Sequence, residues 1–309
     1  MSFANRGSRS AIARNTLREC ESGTIVVDGA PMSIAAQIAN ARDKTETLFP
    51  ADLQRLLDAQ LASVPVTTFE TTIEFVAETS LMGLARCENL KNAVPDGSCA
   101  SCAVLNFASA KNPGGGFLGG ASAQEESLAR SSALFFCISP SAMYSANRRD
   151  NVQLVYNDIA IYTPACPFFK NDEGDVIAPV LAAVLTMPAP NAGCLRRGVT
   201  TEQLRAAVTR RVFAVLALAA AHRHTHLVLG AFGCGVFKND VGMVAQAFKS
   251  ALLGAFKGRF AHVTFSITGA NFEPFRAAFA AASVTTPTIA FEPVRVARQP
   301  DVTADDDDA

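Results

Sequence analysis

The segment LNFASAKNPGGG, residues 105–116, runs from an apolar strand into three consecutive glycines, and QEE at 124–126 follows after a spacer of seven residues. Consecutive glycines remove side chains from a loop, so a ligand can approach the backbone and positive φ angles become available. Successive N–H groups in such a loop form a concavity suited to a phosphate or diphosphate. The two acids begin an apolar run that predicts a buried helix. The pattern therefore favours hydrolysis of a phosphorylated sugar over a plain glycine turn capped by solvated acids.

Alternating elements from about residue 66 onward predict an α/β fold. Strand-like runs lie at 73–77, 103–107, 159–162, 180–186, 227–230 and 263–267. Helix-like runs lie at 80–92, 124–137, 200–222, 241–256 and 273–282. Strands separated by helices of this length predict a three-layer α/β/α sandwich around a mostly parallel, partly mixed central sheet.

A second glycine-containing segment, LGAFGCGVFKND at 229–240, also follows an apolar strand and precedes a helix. The two glycine loops are therefore placed at the carboxyl ends of strands, where open α/β sheets bind ligands. Backbone amides from both loops are able to hold one diphosphate without a basic patch.

The ends of the chain differ from this alternating region. Residues 1–65 predict an N-terminal helical extension, with helices at 10–20, 32–42 and 51–62 and a short strand at 24–27. Residues 66–283 form the predicted catalytic core. Residues 284–309 lose periodicity, gain prolines and end in four consecutive aspartates before Ala309, which is typical of a disordered acidic tail.

Composition excludes several classes of protein. Of 309 residues, 49% are apolar and 18% are charged, which is ample for a buried core. Neither a run of eighteen apolar residues nor a secretory signal is present, so we expect no membrane partner and a cytoplasmic or nuclear setting. The net charge of −1 argues against generic polyanion binding, and we expect no direct nucleic-acid partner.

The spacing of the cysteines and histidines gives only weak evidence for a metal-binding site. The eight cysteines are scattered, which favours reduced, buried thiols, and Cys99-x-x-Cys102 has no second pair at zinc-ribbon spacing. His222, His224 and His226 alternate across a helix-to-strand junction but have no adjacent acidic or cysteine partner, so solvated turn histidines are favoured over a metal site. We expect neither a metal nor another cofactor.

The glycine run, its spacer and QEE resemble the signature of the bacterial-type branch of the poly(ADP-ribose) glycohydrolases, in the macrodomain superfamily. The likeness extends through SLARSS at 127–132, IYTP at 161–164, TMPAPN at 186–191 and the second glycine loop. It runs from about residue 9 to about residue 273, with order and spacing retained. Lys238 and Met187 depart from the expected small residue and serine.

The resemblance implies a glycosidase that hydrolyses ribose–ribose O-glycosidic bonds, mainly at polymer ends, and releases ADP-ribose. Glu126 would protonate the leaving ribose oxygen and then deprotonate the attacking water, for which its pKa must be raised. Glu125 would hydrogen-bond the ribose hydroxyls; a plain helix-capping role remains the alternative.

The same resemblance implies the substrate-binding residues. Asn106 and Asn112 would contact ribose hydroxyls, although either residue type is also common in turns. The adenine edge is expected near Glu78 or Thr79. The complete set of expected binding residues is Asn106, Asn112, Gly114, Gly115, Gly116, Gln124, Gly233, Cys234, Gly235, Val236 and Phe237.

Two other functions stay open at this point. One is removal of single ADP-ribose groups from proteins, and the other is a non-catalytic ADP-ribose reader, against which retention of both glutamates argues. The expected partners are poly(ADP-ribose) and ADP-ribosylated proteins. A nucleotide-binding oxidoreductase is excluded because Gly-x-Gly-x-x-Gly spacing is missing.

Overall fold

The computed structural model of the protein describes residues 5–63, 68–92, 102–149 and 154–295. Its strands are β1 (Thr24–Val27), β2 (Ala30–Ser33), β3 (Glu46–Leu48), β4 (Thr72–Val76), β5 (Cys102–Phe107), β6 (Ala160–Lys170), β7 (Val176–Met187), β8 (His226–Leu229) and β9 (His262–Ser266). Its helices are α1 (Arg6–Ser22), α2 (Ala35–Asp43), α3 (Pro50–Ala62), α4 (Ser80–Asn92), α5 (Gln124–Ser131), α6 (Leu134–Ile138), α7 (Ala142–Arg149), α8 (Thr201–Ala221), α9 (Val241–Ser250) and α10 (Phe272–Ala281).

Seven strands form one mixed sheet in the order β3-β6-β7-β5-β8-β9-β4. The pairs β5–β7, β5–β8, β8–β9 and β4–β9 are parallel, and β6 runs antiparallel to its neighbours β3 and β7. The prediction of a mostly parallel, partly mixed sheet is confirmed. β1 and β2 form a separate antiparallel hairpin.

The central strands bury both faces, which produces the three layers. In β5, Ala103 and Leu105 enter one hydrophobic core, whereas Cys102 and Val104 enter the other. Successive side chains of a strand point to opposite faces, so this alternation requires cover on both sides. Helices α3, α8, α9 and α10 supply the first core, and α1, α2 and α4 to α7 supply the second.

The predicted helix 124–137 is wrong in one respect, because it is broken into α5 and α6. Ser132, between them, adopts an extended backbone with φ −151° and bridges Phe168 on β6. Its hydroxyl donates to Leu128 O at 2.7 Å and accepts from Leu134 N at 3.2 Å, so the chain can leave one helix and enter the next without orphaned polar groups.

The N-terminal region contains more strand than the helical pattern predicts. The predicted helix 32–42 begins only at Ala35, because Ala30–Ser33 pairs with β1. β3 joins the edge of the central sheet through β6. Three residues are too few to show a period-2 pattern, which is why sequence periodicity did not reveal β3. The proposed division into domains stays a prediction.

Two of the alternating histidines are not solvated turn residues. His224 is buried and its Nε2 lies 2.9 Å from the hydroxyl of Tyr162, while the ring of His222 stacks on Tyr162 at 3.6 Å between centroids. His222 Nε2 also lies 3.1 Å from Glu46 on β3. These contacts fasten the edge of the sheet.

The C-terminal segment contacts the core up to the last described residue. Arg210 pairs with Glu292 at 2.9 Å, and Arg295 N donates to Asn157 Oδ1 at 2.6 Å. Residues 284–295 of the predicted disordered tail therefore lie against the folded core. Residues 296–309, including the aspartate run, are outside the described ranges.

Candidate active site

The two glycine loops leave the same edge of the sheet. β5 and β8 are parallel neighbours, with Cys102, Ala103 and Val104 in register with residues 226–228. The carboxyl ends of parallel neighbours meet at one edge, so the loops that follow them are brought together. The expectation that both loops share one site follows from this pairing.

The first glycine loop has a backbone that only glycine adopts without strain. Gly114 and Gly115 have φ angles of 68° and 59°. A Cβ atom added to Gly115 would lie 2.3 Å from Oε1 of Glu126 and 3.2 Å from Oε2 of Glu125. The glycine run therefore serves two purposes here, since it permits the turn and leaves room for both carboxyl groups.

Glu126 lies at the start of α5 against this loop. Its side chain is 9% exposed, and its Oε1 accepts a hydrogen bond from Gly116 N at 2.9 Å. No hydrogen bond within the described ranges reaches its Oε2. One carboxyl oxygen is thus anchored to the loop while the other stays available for proton transfer.

Glu125 is more deeply buried than its neighbour. It is 3% exposed, and its two oxygens accept hydrogen bonds from Ser109 N at 2.7 Å and from Asn106 Nδ2 at 3.4 Å. Burial raises the pKa of Glu125 to about 8, and the adjacent charge of Glu126 adds to this rise. The hydrogen bond from Ser109 acts in the opposite sense without cancelling it. Glu125 therefore carries its proton at neutral pH.

Asn106 connects the end of β5 to this carboxyl group. It is fully buried, and its Nδ2 also lies 3.3 Å from the hydroxyl of Thr186, its partner in register on β7. Its Oδ1 is buried with no hydrogen-bond partner in the described part of the chain. A buried acceptor without a partner is costly, so this atom suits a ligand hydroxyl. Thr186 was not among the predicted site residues.

The side chain of Gln124 forms hydrogen bonds within the protein. Its Oε1 accepts from Phe107 N at 2.9 Å, and its Nε2 donates to Leu105 O at 2.8 Å and to Ser80 Oγ at 3.0 Å. These bonds fix the start of α5 to the end of β5, which sets the position of both glutamates. Its predicted role as a substrate contact stays a prediction.

Asn112 is exposed in the turn that precedes the glycines. Its N–H donates to Ser109 Oγ at 3.2 Å, and its carbonyl accepts from Gly115 N at 3.0 Å. Its backbone thus shapes the turn, and no hydrogen bond within the described ranges involves its side-chain amide. Ribose binding by Asn112 stays a prediction.

The second glycine loop contains backbone N–H groups that form no hydrogen bond within the described ranges. Gly233 has φ 71°, and a Cβ there would lie 2.5 Å from Asn239 Nδ2, which braces the loop by donating to Pro190 O at 2.8 Å. The N–H groups of residues 235–237 donate to no acceptor in the described ranges. Three successive unbonded N–H groups form the kind of concavity that binds anions.

The side chains of this second loop differ in exposure. Val236 is 74% exposed at its tip, whereas Cys234 is 8% exposed. Burial raises the pKa of the Cys234 thiol to about 12, so it stays protonated and is unsuited to act as a nucleophile. The Phe237 ring lies 5.9 Å from the ring of Tyr156 between centroids.

Helix α1 holds the residues that follow the first glycine loop. Arg6 Nε donates to Gly119 O at 2.8 Å, Arg9 Nε to Gly120 O at 2.7 Å, and Ser10 Oγ to Leu118 O at 2.6 Å. These carbonyls belong to a single turn next to Gly116. No motif in α1 signals this role, because its side chains act on backbone atoms more than a hundred residues away.

The two residues expected near adenine make contacts within the protein. Glu78 accepts hydrogen bonds from Arg86 and from Ser266, both at 3.0 Å. The hydroxyl of Thr79 donates to Asp172 Oδ2 at 2.6 Å. An adenine contact at either residue stays a prediction.

Within the described ranges, no group of three or more histidine, cysteine, aspartate or glutamate side chains is placed to hold a metal ion. Cys99 of the Cys-x-x-Cys pair lies outside these ranges. No helix among the described residues is long and apolar enough to span a membrane.

The chain matches known proteins in both sequence and structure. The family model "Microbial-type PARG, catalytic domain" matches residues 13–171. A crystal structure of poly(ADP-ribose) glycohydrolase (PARG) from Thermomonospora curvata is 40% identical, with a TM-score of 0.79; the match covers 89% of this chain and 99% of that one. A structure of the T. curvata enzyme bound to the inhibitor ADP-HPD gives a TM-score of 0.78, at 40% identity and the same coverage.

A second bacterial enzyme gives a similar result. The PARG of Deinococcus radiodurans in complex with ADP-ribose is 40% identical, with a TM-score of 0.68, and the match covers 78% of this chain and 95% of that one. A comparison with curated proteins found no match. Family match, identity and coverage agree with the paired glutamates and glycine loops, and the chain belongs to the microbial-type PARG catalytic-domain family, the poly(ADP-ribose) glycohydrolases.

Proposed function

We propose that this chain hydrolyses the ribose–ribose O-glycosidic bonds of poly(ADP-ribose), mainly at polymer ends, and releases ADP-ribose. The observation that carries this proposal is the contact between Glu126 and the first glycine loop. Gly116 N holds one oxygen of a nearly buried carboxyl group, and Gly115 leaves no side chain between that group and a ligand. Glycoside hydrolysis needs such a group to protonate the leaving oxygen.

Glu126 is proposed as the general acid/base. With Oε1 held by Gly116, Oε2 would give its proton to the leaving ribose oxygen and then take one from the attacking water. The two glutamates are adjacent at the start of one helix, so they do not flank the bond as an acid and a separate nucleophile would. A single acid/base assisted by the substrate's own diphosphate fits this arrangement.

Glu125 is proposed to position the ribose. Its proton at neutral pH and its bonds to Ser109 and Asn106 suit hydrogen bonding with sugar hydroxyls. The unpartnered Oδ1 of Asn106 would accept from one of those hydroxyls. Because burial raises the pKa of Glu125 and favours its neutral form, this residue avoids placing a negative charge beside the diphosphate.

The diphosphate is proposed to bind the amides of residues 235–237. These N–H groups are unbonded within the described ranges, and the loop needs no basic side chain to attract an anion. This mode of binding grips one diphosphate at a time. Binding of this kind favours action at the ends of the polymer. Sliding along a polyanion would instead require rows of cationic side chains.

ADP-ribosylated proteins are the proposed physiological carriers of the polymer, and the cytoplasm or nucleus is the proposed compartment. Cys20, Cys137, Cys166, Cys194 and Cys234 are buried and form no disulfide. Buried thiols of this kind suit a compartment that keeps cysteines reduced.

The test compares wild type, Glu126→Gln and Glu125→Gln on automodified, poly(ADP-ribosyl)ated protein, with Glu70→Gln on the exposed surface as the matched control. Release of ADP-ribose and the chain length of the remaining polymer are measured, together with calorimetric titration of ADP-ribose. We expect Glu126→Gln to bind ADP-ribose and to lose at least about 100-fold in release. Wild type that binds but releases nothing would make the chain an ADP-ribose reader, and release only from mono-ADP-ribosylated protein would support the other alternative.

A further inference from the structure

Left-handed backbone is concentrated around the second glycine loop. Of six described non-glycine residues with positive φ, three are here: Leu154 at 59°, Tyr156 at 61° and Lys238 at 59°. Bulky side chains rarely adopt this conformation, and it persists only where surrounding contacts impose it. The contacts that impose it on Tyr156 therefore indicate what the fold gains from its position.

Arg211 on α8 provides those contacts. It is fully buried and donates to three carbonyls, those of Val155 at 2.7 Å, Tyr156 at 3.0 Å and Pro188 at 2.9 Å. Its Nε donates to Asp158 at 3.0 Å, which keeps the guanidinium paired. One buried cation thus fastens the segment that contains Tyr156 to the end of β7.

The same region holds the backbone of the second glycine loop. Asn191 N donates to Leu154 O at 3.0 Å, and Ala192 N donates to Phe237 O at 2.9 Å. The carbonyl of Phe237 is therefore fixed from one side. This hydrogen bond fixes the backbone of Phe237 and does not set the angle of its ring.

The Tyr156 ring lies next to the Phe237 ring. It is 7% exposed and lies 5.9 Å from the Phe237 ring, with 43° between the ring planes. Aromatic rings at this distance attract each other, so the Tyr156 ring restricts the rotation of the Phe237 ring. Phe237 is half-buried and is the one aromatic side chain in the loop segment 233–237.

We propose that Tyr156 is a positioning residue that holds the Phe237 ring at the angle against which a substrate sugar packs. This inference rests on the proposed function, in which the second glycine loop binds ADP-ribose. Tyr156 itself touches no reacting atom. The hydrogen bonds from Arg211 to the carbonyls of Val155 and Tyr156 hold the backbone that carries this ring.

The first test compares Tyr156→Gly with Leu154→Gly. Glycine adopts the local φ angle without strain at both positions, so both variants remove strain, but only the first removes the ring against Phe237. We expect Tyr156→Gly to weaken ADP-ribose binding about two- to tenfold and to raise the KM for polymer with a smaller change in kcat. Leu154→Gly should keep wild-type affinity. Equal losses in both variants, or no loss in Tyr156→Gly, would overturn the proposal.

A second test asks whether Tyr156 acts through Phe237. In a Phe237→Ala background, Tyr156→Gly should cause no further loss of ADP-ribose affinity, whereas independent contacts would give additive losses. Tyr156→Asn, whose side chain tolerates left-handed backbone, replaces the glycine variant if thermal unfolding shows that the latter does not fold. Calorimetric binding is read without hydrolysis, so wild type that binds ADP-ribose but cleaves nothing refutes the proposed activity and leaves this coupling measurable.

Discussion

Gly115 and Glu126 are so close that any side chain at position 115 would displace the carboxyl group: a Cβ there would lie 2.3 Å from Glu126 Oε1 and 2.9 Å from its carboxyl carbon. The conformation of the glycine run and the position of the Glu126 carboxyl group therefore depend on each other. Changing either one changes the position of the carboxyl group.

Substitution of Gly115 by alanine should displace Glu126. We expect Gly115→Ala to lower kcat by about 100-fold, since shifts of about 1 Å in a catalytic group cost that much. Gly29→Ala is the matched control, because Gly29 also has positive φ, at 80°, but nothing lies within 4 Å of its added Cβ. The Gly29→Ala variant should lose about 1 kcal/mol in its free energy of unfolding and keep its activity. Comparable kcat losses in the two variants would contradict the role of this contact.

The raised pKa of Glu125 should appear in the pH dependence of stability. The folded state keeps a proton up to pH about 8 that the unfolded state loses near 4.5. The stabilisation from Glu125 is thus complete below pH 4.5, and the free energy of unfolding falls by about 1.4 kcal/mol per pH unit between these values.

Glu125→Gln should remove this slope. Urea unfolding of wild type and variant from pH 4.5 to 8.5 measures it as the difference between the two curves, with Glu70→Gln as an exposed control that should follow wild type. A constant difference between wild type and Glu125→Gln across this range would show that the pKa of Glu125 is not raised.

Arg9 should affect catalysis from outside the site. Its bond to Gly120 O steadies the turn beside Gly116, whose N–H holds Glu126. We expect Arg9→Ala to lose about 1.5 kcal/mol of stability and several-fold in kcat, because a charge-assisted hydrogen bond to the backbone is lost. Arg14→Ala, on the exposed face of the same helix, should change neither. Equal kcat values for the two variants would rule out a link between α1 and Glu126.

Arg211 should be among the most sensitive positions for stability. Arg211→Met leaves Asp158 buried with one partner fewer and three carbonyls without a donor. We expect a loss of about 3–5 kcal/mol in urea unfolding, against less than about 0.5 kcal/mol for Arg205→Met on the exposed face of α8. A loss below 1 kcal/mol for Arg211→Met would mean that water or other donors replace it.

Most of the fold was readable from periodicity. The strands at 24–27, 73–77, 103–107, 227–230 and 263–267 and the helices at 80–92 and 200–222 were predicted close to their observed bounds. These elements have clear local patterns of apolar residues and recognisable signals at their ends, such as the Thr200–Gln203 capping box of α8. The break at Ser132 was missed because it depends on pairing with Phe168, which is distant in sequence.

Less of the site could be predicted from the sequence, because a motif shows which residues are present but not which distant residues they contact. From the sequence alone, the glycine run, both glutamates and the second loop are predicted to form the site. Sequence did not reveal that Thr186 contacts Asn106 or that Tyr156 supports Phe237. No local signal marks such residues, since each acts through a neighbour from another part of the chain.

The sequence by itself determined most of the strands and helices, where the two glycine loops lie along the chain, and which two carboxyl groups begin α5. These depend on local patterns of apolar residues and on the conformational freedom of glycine. Only the tertiary structure decided that Glu125 is the more deeply buried of the two, with its pKa raised by burial, and that α1 and Arg211 hold the two loops in place. Burial and long-range hydrogen bonds set both properties, and they exist only once the sheet has brought distant segments together.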